Sequence, residues 1–266
     1  MHPMLNIGIR AAREGGKVIT RNIDRVSTLK IDRKGRNDFV SEVDKAAETE
    51  IVTTLQRSFP DHGILTEESG EIGKQDGEFL WIIDPLDGTT NFIHAFPHFC
   101  VSIALMQNGR LNQAVVYDPI RQELFTASHG SGAWVNNKRL RVHTNIAFEN
   151  ALIGSGFPYR QGQNLDFYME TQKVYTESTG GVRRSGSAAL DLAYVGAGRL
   201  DGCWLSGLKA WDIAAGALIV REAGGLINDY SGGDTYLDSG NVIAGSPKVH
   251  HEMLVKMKPI WSEYHS

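Results

Sequence analysis

Apolar residues recur along this chain with two different periods, and the switches between them outline its elements. Over residues 4–24, Leu5, Ile9, Ala12, Gly16, Ile19 and Ile23 fall at three- and four-residue steps, which predicts an amphipathic helix. A second helix is predicted over 43–58, with Val43, Ala47, Ile51 and Leu55 on one face and a stop before Pro60. Between them, residues 30–38 are polar and read as a solvated surface loop. The pattern then becomes strand-like. Ile64-Leu65-Thr66 and Trp81-Ile82-Ile83 are short apolar runs, and strands are expected at 101–106, 114–117, 123–127 and 133–135, with Asn108-Gly109 as a hairpin turn.

From about residue 150 the rhythm becomes an alternation. Strands are predicted at 151–153, 182–184, 201–205, 226–229 and 242–244, and helices at 165–176, 187–195 and 210–223. A last helix starts with Ser246 as N-cap and Pro247 as first residue. Helices on a meandering sheet, followed by alternating strands and helices, predict a layered α+β or α/β fold. With no repeat or linker in sight, a single domain over 1–266 is expected, made of two tightly packed halves of about 1–148 and 149–266.

Composition narrows the setting. A net charge of -4 over 266 residues gives no global attraction to nucleic acid or to an anionic membrane. No apolar run approaches the roughly 20 residues needed to span a bilayer, and the N-terminus lacks the pattern of a secretory signal. The two cysteines, Cys100 and Cys203, form no Cys-x-x-Cys pair, which fits a reducing cytosol.

The chemistry concentrates in carboxylates placed at the ends of apolar runs. Trp81-Ile82-Ile83 leads into Asp84 and Asp87, Ile64-Leu65-Thr66 leads into Glu67, and Asp212 opens the predicted helix at 210–223. Asp44 stands near the start of the helix at 43–58. A buried strand that ends in unpaired acids is costly, so acids there call for a partner, and hard cations want oxygen ligands. Asp212 read alone is better taken as a helix cap. Gly88-Thr89-Thr90 follows at once and supplies backbone N–H groups for an anion if a helix begins near Thr90, or an ordinary cap if it does not. The chain has no Walker A loop, no strand–GxGxxG unit and no GxSxG elbow, which argues against NTPase, dinucleotide and serine-hydrolase chemistry.

Four segments in this order resemble the inositol monophosphatase family, and its bacterial SuhB-type branch in particular. They are Asn37-Asp38-Phe39-Val40-Ser41-Glu42-Val43-Asp44, Glu67-Glu68-Ser69-Gly70, Trp81 to Phe92, and Trp211-Asp212-Ile213-Ala214-Ala215-Gly216. The resemblance runs the whole chain. It implies a layered αβαβα sandwich of the sugar-phosphatase type and a Mg²⁺-dependent, lithium-sensitive phosphomonoesterase acting on inositol-1-phosphate or similar polyol phosphates.

Site roles follow by the same resemblance. Glu67, Asp84 and the Leu86 carbonyl would hold one Mg²⁺. Asp84, Asp87 and Asp212 would hold a second, with a third, weaker ion near Glu67. Asp44 and Thr89 match the pair that activates the attacking water, and Gly88 and Thr89 the phosphate turn. Arg183 and Gly186-Ser187-Ala188 match a segment lining the sugar pocket. The 30–38 loop matches one that closes over the metals, with Lys34 toward the phosphate.

The family is commonly homodimeric, and its SuhB-type members imply partners in RNA polymerase and antitermination factors. For those, Arg183-Arg184 and Lys138-Arg139-Leu140-Arg141 are candidate contacts, each otherwise a solvated face. Related phosphatases of fructose-1,6-bisphosphate, NADP(H) or 3′-nucleotides share the metal motif. One position departs from the pattern: Leu205 stands where the family places a glutamate that hydrogen-bonds inositol hydroxyls, which leaves the alcohol open.

Overall fold

A computed structural model describes residues 2–28, 31–35, 38–156 and 164–264. The chain opens with α1 (Pro3–Asn22), a 3-10 turn (Ile23–Thr28), β1 (Ile31–Gly35), β2 (Asp38–Ser41) and α2 (Glu42–Ser58). Next come β3 (Gly63–Thr66), β4 (Gly70–Ile72), β5 (Phe79–Asp87) and the short α3 (Thr89–Ile93). A meander follows: β6 (Cys100–Gln107), β7 (Arg110–Asp118), β8 (Glu123–Ser128), β9 (Gly132–Val135) and β10 (Lys138–Arg139). The remainder runs β11 (Leu152–Ser155), α4 (Leu165–Ser178), β12 (Gly181–Arg183), α5 (Ala188–Gly196), β13 (Gly202–Leu205) and α6 (Ala210–Glu222). It ends with β14 (Leu226–Asn228), α7 (Tyr236–Ser239), β15 (Val242–Gly245) and α8 (Pro247–Tyr264).

Two sheets carry the layers. The larger has the order β10-β9-β8-β7-β6-β5-β3-β4, antiparallel except where β3 runs parallel to β5. The smaller has the order β12-β11-β13-β15-β14, with β11 parallel to both β12 and β13 and β15 antiparallel to its neighbours.

Burial shows how they stack. Leu5, Ile9, Ile19, Val43, Ile51 and Leu55 of α1 and α2 pack with Trp81, Ile83, Val101 and Val115 on one face of the large sheet. On its other face Ile82, Ala104 and Val116 meet Ala189 and Leu190 of α5 and Ala214 and Leu218 of α6. The far side of those helices, with Leu192, Ile213 and Val220, packs on Cys203, Leu205 and Val242 of the small sheet. Phe167, Tyr175, Met253 and Met257 of α4 and α8 cover the outer face of that sheet at Trp204 and Ile243. The result is a five-layer αβαβα sandwich.

The middle layer explains why α6 is apolar all round. A helix with one wet face shows a stripe, whereas Ile213 through Val220 is buried throughout because sheets lie on both sides. Gly216 allows that closeness: a Cβ there would lie 2.4 Å from Leu192 Cβ of α5.

Two sequence expectations change. Of the stretch 30–38, expected as a loop, residues 31–35 and 38 belong to strands. β1 and β2 pair antiparallel, Ile31 opposite Ser41, as a hairpin lying beside α3, and the side chain of Lys34 lies outside the described residues. The polar composition hid this, because backbone hydrogen bonds hold a two-stranded ribbon and need no apolar periodicity. β4, β10 and α7 are elements that periodicity did not signal, each being only two to four residues long. β5 ends in its acids, as expected. It continues through Asp87, with Pro85 tolerated at a bulge.

Since Leu192 Cβ is fixed to the α5 backbone, adding a methyl at Gly216 must push two packed helices apart. Gly216→Ala is expected to lower unfolding stability by about 1–3 kcal/mol, as overpacking does; chemical denaturation checks this, and an unchanged midpoint would refute the packing argument.

Candidate functional site

The bulge in β5 decides where its acids point. On a regular strand, residues three apart face opposite sides. Asp84 pairs with Ser102 and Asp87 with Cys100, so three steps on β5 span only two on β6. The extra residue brings Asp87 back to the side of Asp84. That side faces the middle helical layer, where Ile82 also packs. Asp212, in the first turn of α6, meets them there.

Each of Asp84, Asp87 and Asp212 offers an oxygen, and these ligand atoms all lie within 4.8 Å of one another. The three are 1%, 9% and 7% exposed, so water cannot screen them. Burial holds the Asp84 carboxyl well above the usual range, and the charges of Glu67, Asp87 and Asp212 push it further. Burial and the Asp212 charge raise Asp87 to about 7, although hydrogen bonds from Ser187 and the start of α5 pull the other way.

Protein donors orient each acid. Asp84 Oδ1 accepts from the Leu86 N–H at 2.9 Å. Asp87 Oδ2 accepts from Ser187 Oγ at 2.6 Å and from the Ala189 N–H at 2.7 Å. Asp212 Oδ2 accepts from the Lys209 N–H at 2.7 Å, so Asp212 does cap α6 while facing the cluster. Ser102 Oγ donates to the Trp211 carbonyl at 3.2 Å and ties β6 to the same turn. Glu67 follows β3, whose Thr66 pairs with Ile83, which sets Glu67 beside Asp84.

The other expected pair also meets. Thr89 Oγ1 lies 2.9 Å from Asp44 Oδ1, to which it donates, and 3.1 Å from the Leu86 carbonyl. Gly88 precedes α3 at φ 101, where a side chain would be strained, and its Cβ would press to 3.0 Å from the His98 carbonyl. The glycine is required by this turn. Asn91 Nδ2 donates to the carbonyls of His98 at 2.7 Å and Ser185 at 3.0 Å, clamping the Gly88 turn to the Gly186 turn.

Beside the acids is a cavity of about 60 Å³, lined by Asp87, Asp212, Gly186, Ser187, Ala188, Leu205 and Arg184 among others. Arg183 is exposed and donates to the Val182 carbonyl at 3.0 Å, and the lining guanidinium belongs to Arg184 instead. Two further acids went unremarked in the sequence. Asp191 of α5 also lines the cavity, burial raises it to about 8, and its Oδ1 has no hydrogen-bond partner. Glu48 of α2 is 4% exposed and holds the turn that carries Glu67. Both had a legible signal, an acid set within an apolar helical face.

This donor set is all oxygen, buried and crowded with like charge, which fits a hard divalent cation and suits neither zinc nor copper. Comparison with known proteins agrees with the geometry. A family model described as the inositol monophosphatase family matches residues 1–259. The chain is 51% identical over 263 residues to the Nus factor SuhB of Pseudomonas aeruginosa, covering 97% of each. It is 50% identical over 258 residues to the Nus factor SuhB of Escherichia coli K12, again covering 97% of both. Among solved structures, the extragenic suppressor protein suhB from Bartonella henselae matches with a TM-score of 0.93 at 42% identity, covering 97% of this chain and 99% of that one. A Thermotoga maritima IMPase matches with a TM-score of 0.89 at 36% identity, covering 98% and 99%.

A divalent cation held here would compete with protons for these oxygens. A folded pKa raised above the unfolded value makes the metal-free fold bind protons more tightly, so that stabilisation is present at low pH and is lost as pH rises through about 7 for Asp87. Thermal unfolding in chelator should therefore show a midpoint that falls from about pH 5 to about pH 8, and the gain on adding excess Mg²⁺ should grow over the same window. An equal gain at both ends would refute the competition.

Proposed function

The chain belongs to the inositol monophosphatase family, and from that premise we propose that it is a Mg²⁺-dependent phosphomonoesterase acting on inositol-1-phosphate or a similar small polyol phosphate. The observation that carries the reading is the convergence of Asp84, Asp87 and Asp212 within 4.8 Å in a buried site. Glu67, Asp84 and the Leu86 carbonyl would hold one ion, and Asp84, Asp87 and Asp212 a second. Bound Mg²⁺ would supply charge neutralisation and Lewis-acid polarisation of the phosphoryl oxygens.

The chain's own groups do the rest. The Asp44–Thr89 pair takes the role of water activation: Thr89 donates to Asp44, so its Oγ1 lone pairs point outward to orient a water hydrogen, and Asp44 is the proton's destination. The Gly88 and Thr89 N–H groups receive the phosphate, with Gly186, Ser187 and Ala188 walling the far side of the cavity. Water then attacks phosphorus in line as its proton passes to Asp44, the P–O bond to the alcohol breaks, the leaving alkoxide takes a proton from solvent water, and inorganic phosphate and the alcohol leave. No covalent phospho-enzyme forms on this route.

Leu205 is the wall that bears on the alcohol. It lies in β13, lines the cavity and is 1% exposed, so it offers a hydroxyl an apolar surface. This favours smaller or less hydroxylated alcohols over inositol itself.

A second role is favoured by the name Nus factor carried by relatives half identical to this chain. We infer that the protein also associates with RNA polymerase and antitermination factors, through protein contacts given the net charge of -4. A homodimer in the cytoplasm is part of the same proposal.

Phosphate release from a panel of sugar, polyol and nucleotide monophosphates, with and without Mg²⁺ and Li⁺, tests the enzyme. Asp84→Asn should abolish Mg²⁺-dependent release, and Asp44→Asn should lower kcat by about 10²–10⁴-fold, the span of general-base contributions; near-normal turnover in either would overturn its role. Leu205→Glu should raise the preference for inositol-1-phosphate over glycerol phosphate about tenfold, a charged hydrogen bond being worth about 1.5–3 kcal/mol. Capture of RNA polymerase by Asp84→Asn as well as by wild type would separate the second role from catalysis, and capture by neither would remove it.

A further inference from the structure

α2 carries two buried acids one helical turn apart, and they reach opposite walls of the site. Asp44, Glu48, Ile51 and Leu55 fall on one stripe, so the helix presents two carboxylates in line with its apolar anchors. Asp44 reaches Thr89 at the turn between β5 and α3. Glu48 reaches the turn between β3 and β4. Its Oε2 accepts from Thr66 Oγ1 at 2.5 Å and from the Glu68 N–H at 3.0 Å, and its Oε1 accepts from Ser69 Oγ at 2.5 Å.

Those donors bracket Glu67, coming from the residue before it and the two after it. The Glu67 N–H itself donates to the Ile83 carbonyl at 3.3 Å. Its backbone is thus tied to β5 directly and to α2 through Glu48 on either side. Hydrogen bonds to a carboxylate are strong and directional, and this one is 4% exposed, so a shift of the turn cannot be made good by water.

Glu67 stands apart from the three acids whose oxygens converge, yet of the neighbouring charges its own acts most strongly on Asp84. The converging acids have other supports: Asp87 is held by α5, and Asp212 by Lys209. Among the described residues, the side-chain hydrogen bonds of Glu48 go to the Glu67 turn.

We propose that Glu48 is a positioning residue for the cation site that Glu67 shares with Asp84. It sets where the Glu67 carboxylate stands, and so governs the affinity of that ion while leaving the ion of Asp84, Asp87 and Asp212 unchanged. This rests on the reading of the acids as a two-ion site. A residue that only held α2 against the sheet would, when removed, weaken both ions alike or neither.

Calorimetric titration of the full-length, chelator-stripped protein with Mg²⁺ and with Mn²⁺ separates these outcomes, with circular dichroism to verify folding. Glu48→Ala should weaken one class of ion about 10–100-fold, the usual effect of losing an outer support of a metal ligand, and leave the other class within about twofold. Glu48→Gln should largely restore binding, because its carbonyl can accept from Thr66 and Glu68 while its amide donates to Ser69. Ser69→Ala, which removes one donor and leaves Glu48 in place, should move the same class in the same direction by less. It decides the matter if Glu48→Ala does not fold. Equal weakening of both classes, no change in either, or failure of Gln to rescue would overturn the role of Glu48. If wild type binds neither metal, it is the two-ion reading that falls.

Discussion

Three carboxylates buried within 4.8 Å of one another impose the constraint on which this structure turns. Like charges at that distance, removed from water, repel strongly, and the metal-free protein answers by taking up protons. Such an arrangement persists only when the surrounding fold over-determines it. Donors from Leu86, Ser187, Ala189 and Lys209 fix the three acids, and none of those donors comes from a mobile side-chain terminus on the surface.

The layered architecture is what brings the acids together. Asp84 and Asp87 lie on a strand deep in the eight-stranded sheet, and Asp212 on a helix pressed between two sheets. The donors to Asp87 come from α5, a hundred residues further along the chain. Asn91 bridges the same distance to the Ser185 carbonyl. The site therefore exists only after the sheet and the middle helices have packed, and a cation bound there, being specific to the packed state, would add to stability by linkage.

Around this fixed centre the pieces divide the work of the proposed phosphatase. The acids and the Gly88 turn govern the phosphate, and the far wall, with Leu205 and Arg184, governs the alcohol. Leu205 comes from β13, whereas the three acids stand on β5 and α6. A family scaffold of this kind can also carry a role away from its cavity, so the relatives' name and a catalytic site are compatible on one fold.

Most helices and strands were legible because their apolar positions repeat: α1, α2, α5, α6 and the meander from β6 to β9 all follow from periodicity, and Asn108-Gly109 forms the expected turn with both residues at positive φ. The four ordered motifs identified the family, and three of their acids, Asp84, Asp87 and Asp212, are the ones the structure gathers. What the sequence could not state was direction. Asp84 and Asp87 share a face only because a bulge against β6 inserts one residue, and that register depends on a partner strand. The hairpin of β1 and β2 escaped notice because pairing through backbone hydrogen bonds leaves no mark on a polar stretch. Glu48 and Asp191 were legible as acids within apolar helical faces, but their burial was settled by what packs above them. The chain by itself determined which chemistry-bearing residues were present and which elements carried them; the tertiary structure alone decided their convergence, since distance between remote residues is set by packing and register rather than by local propensity.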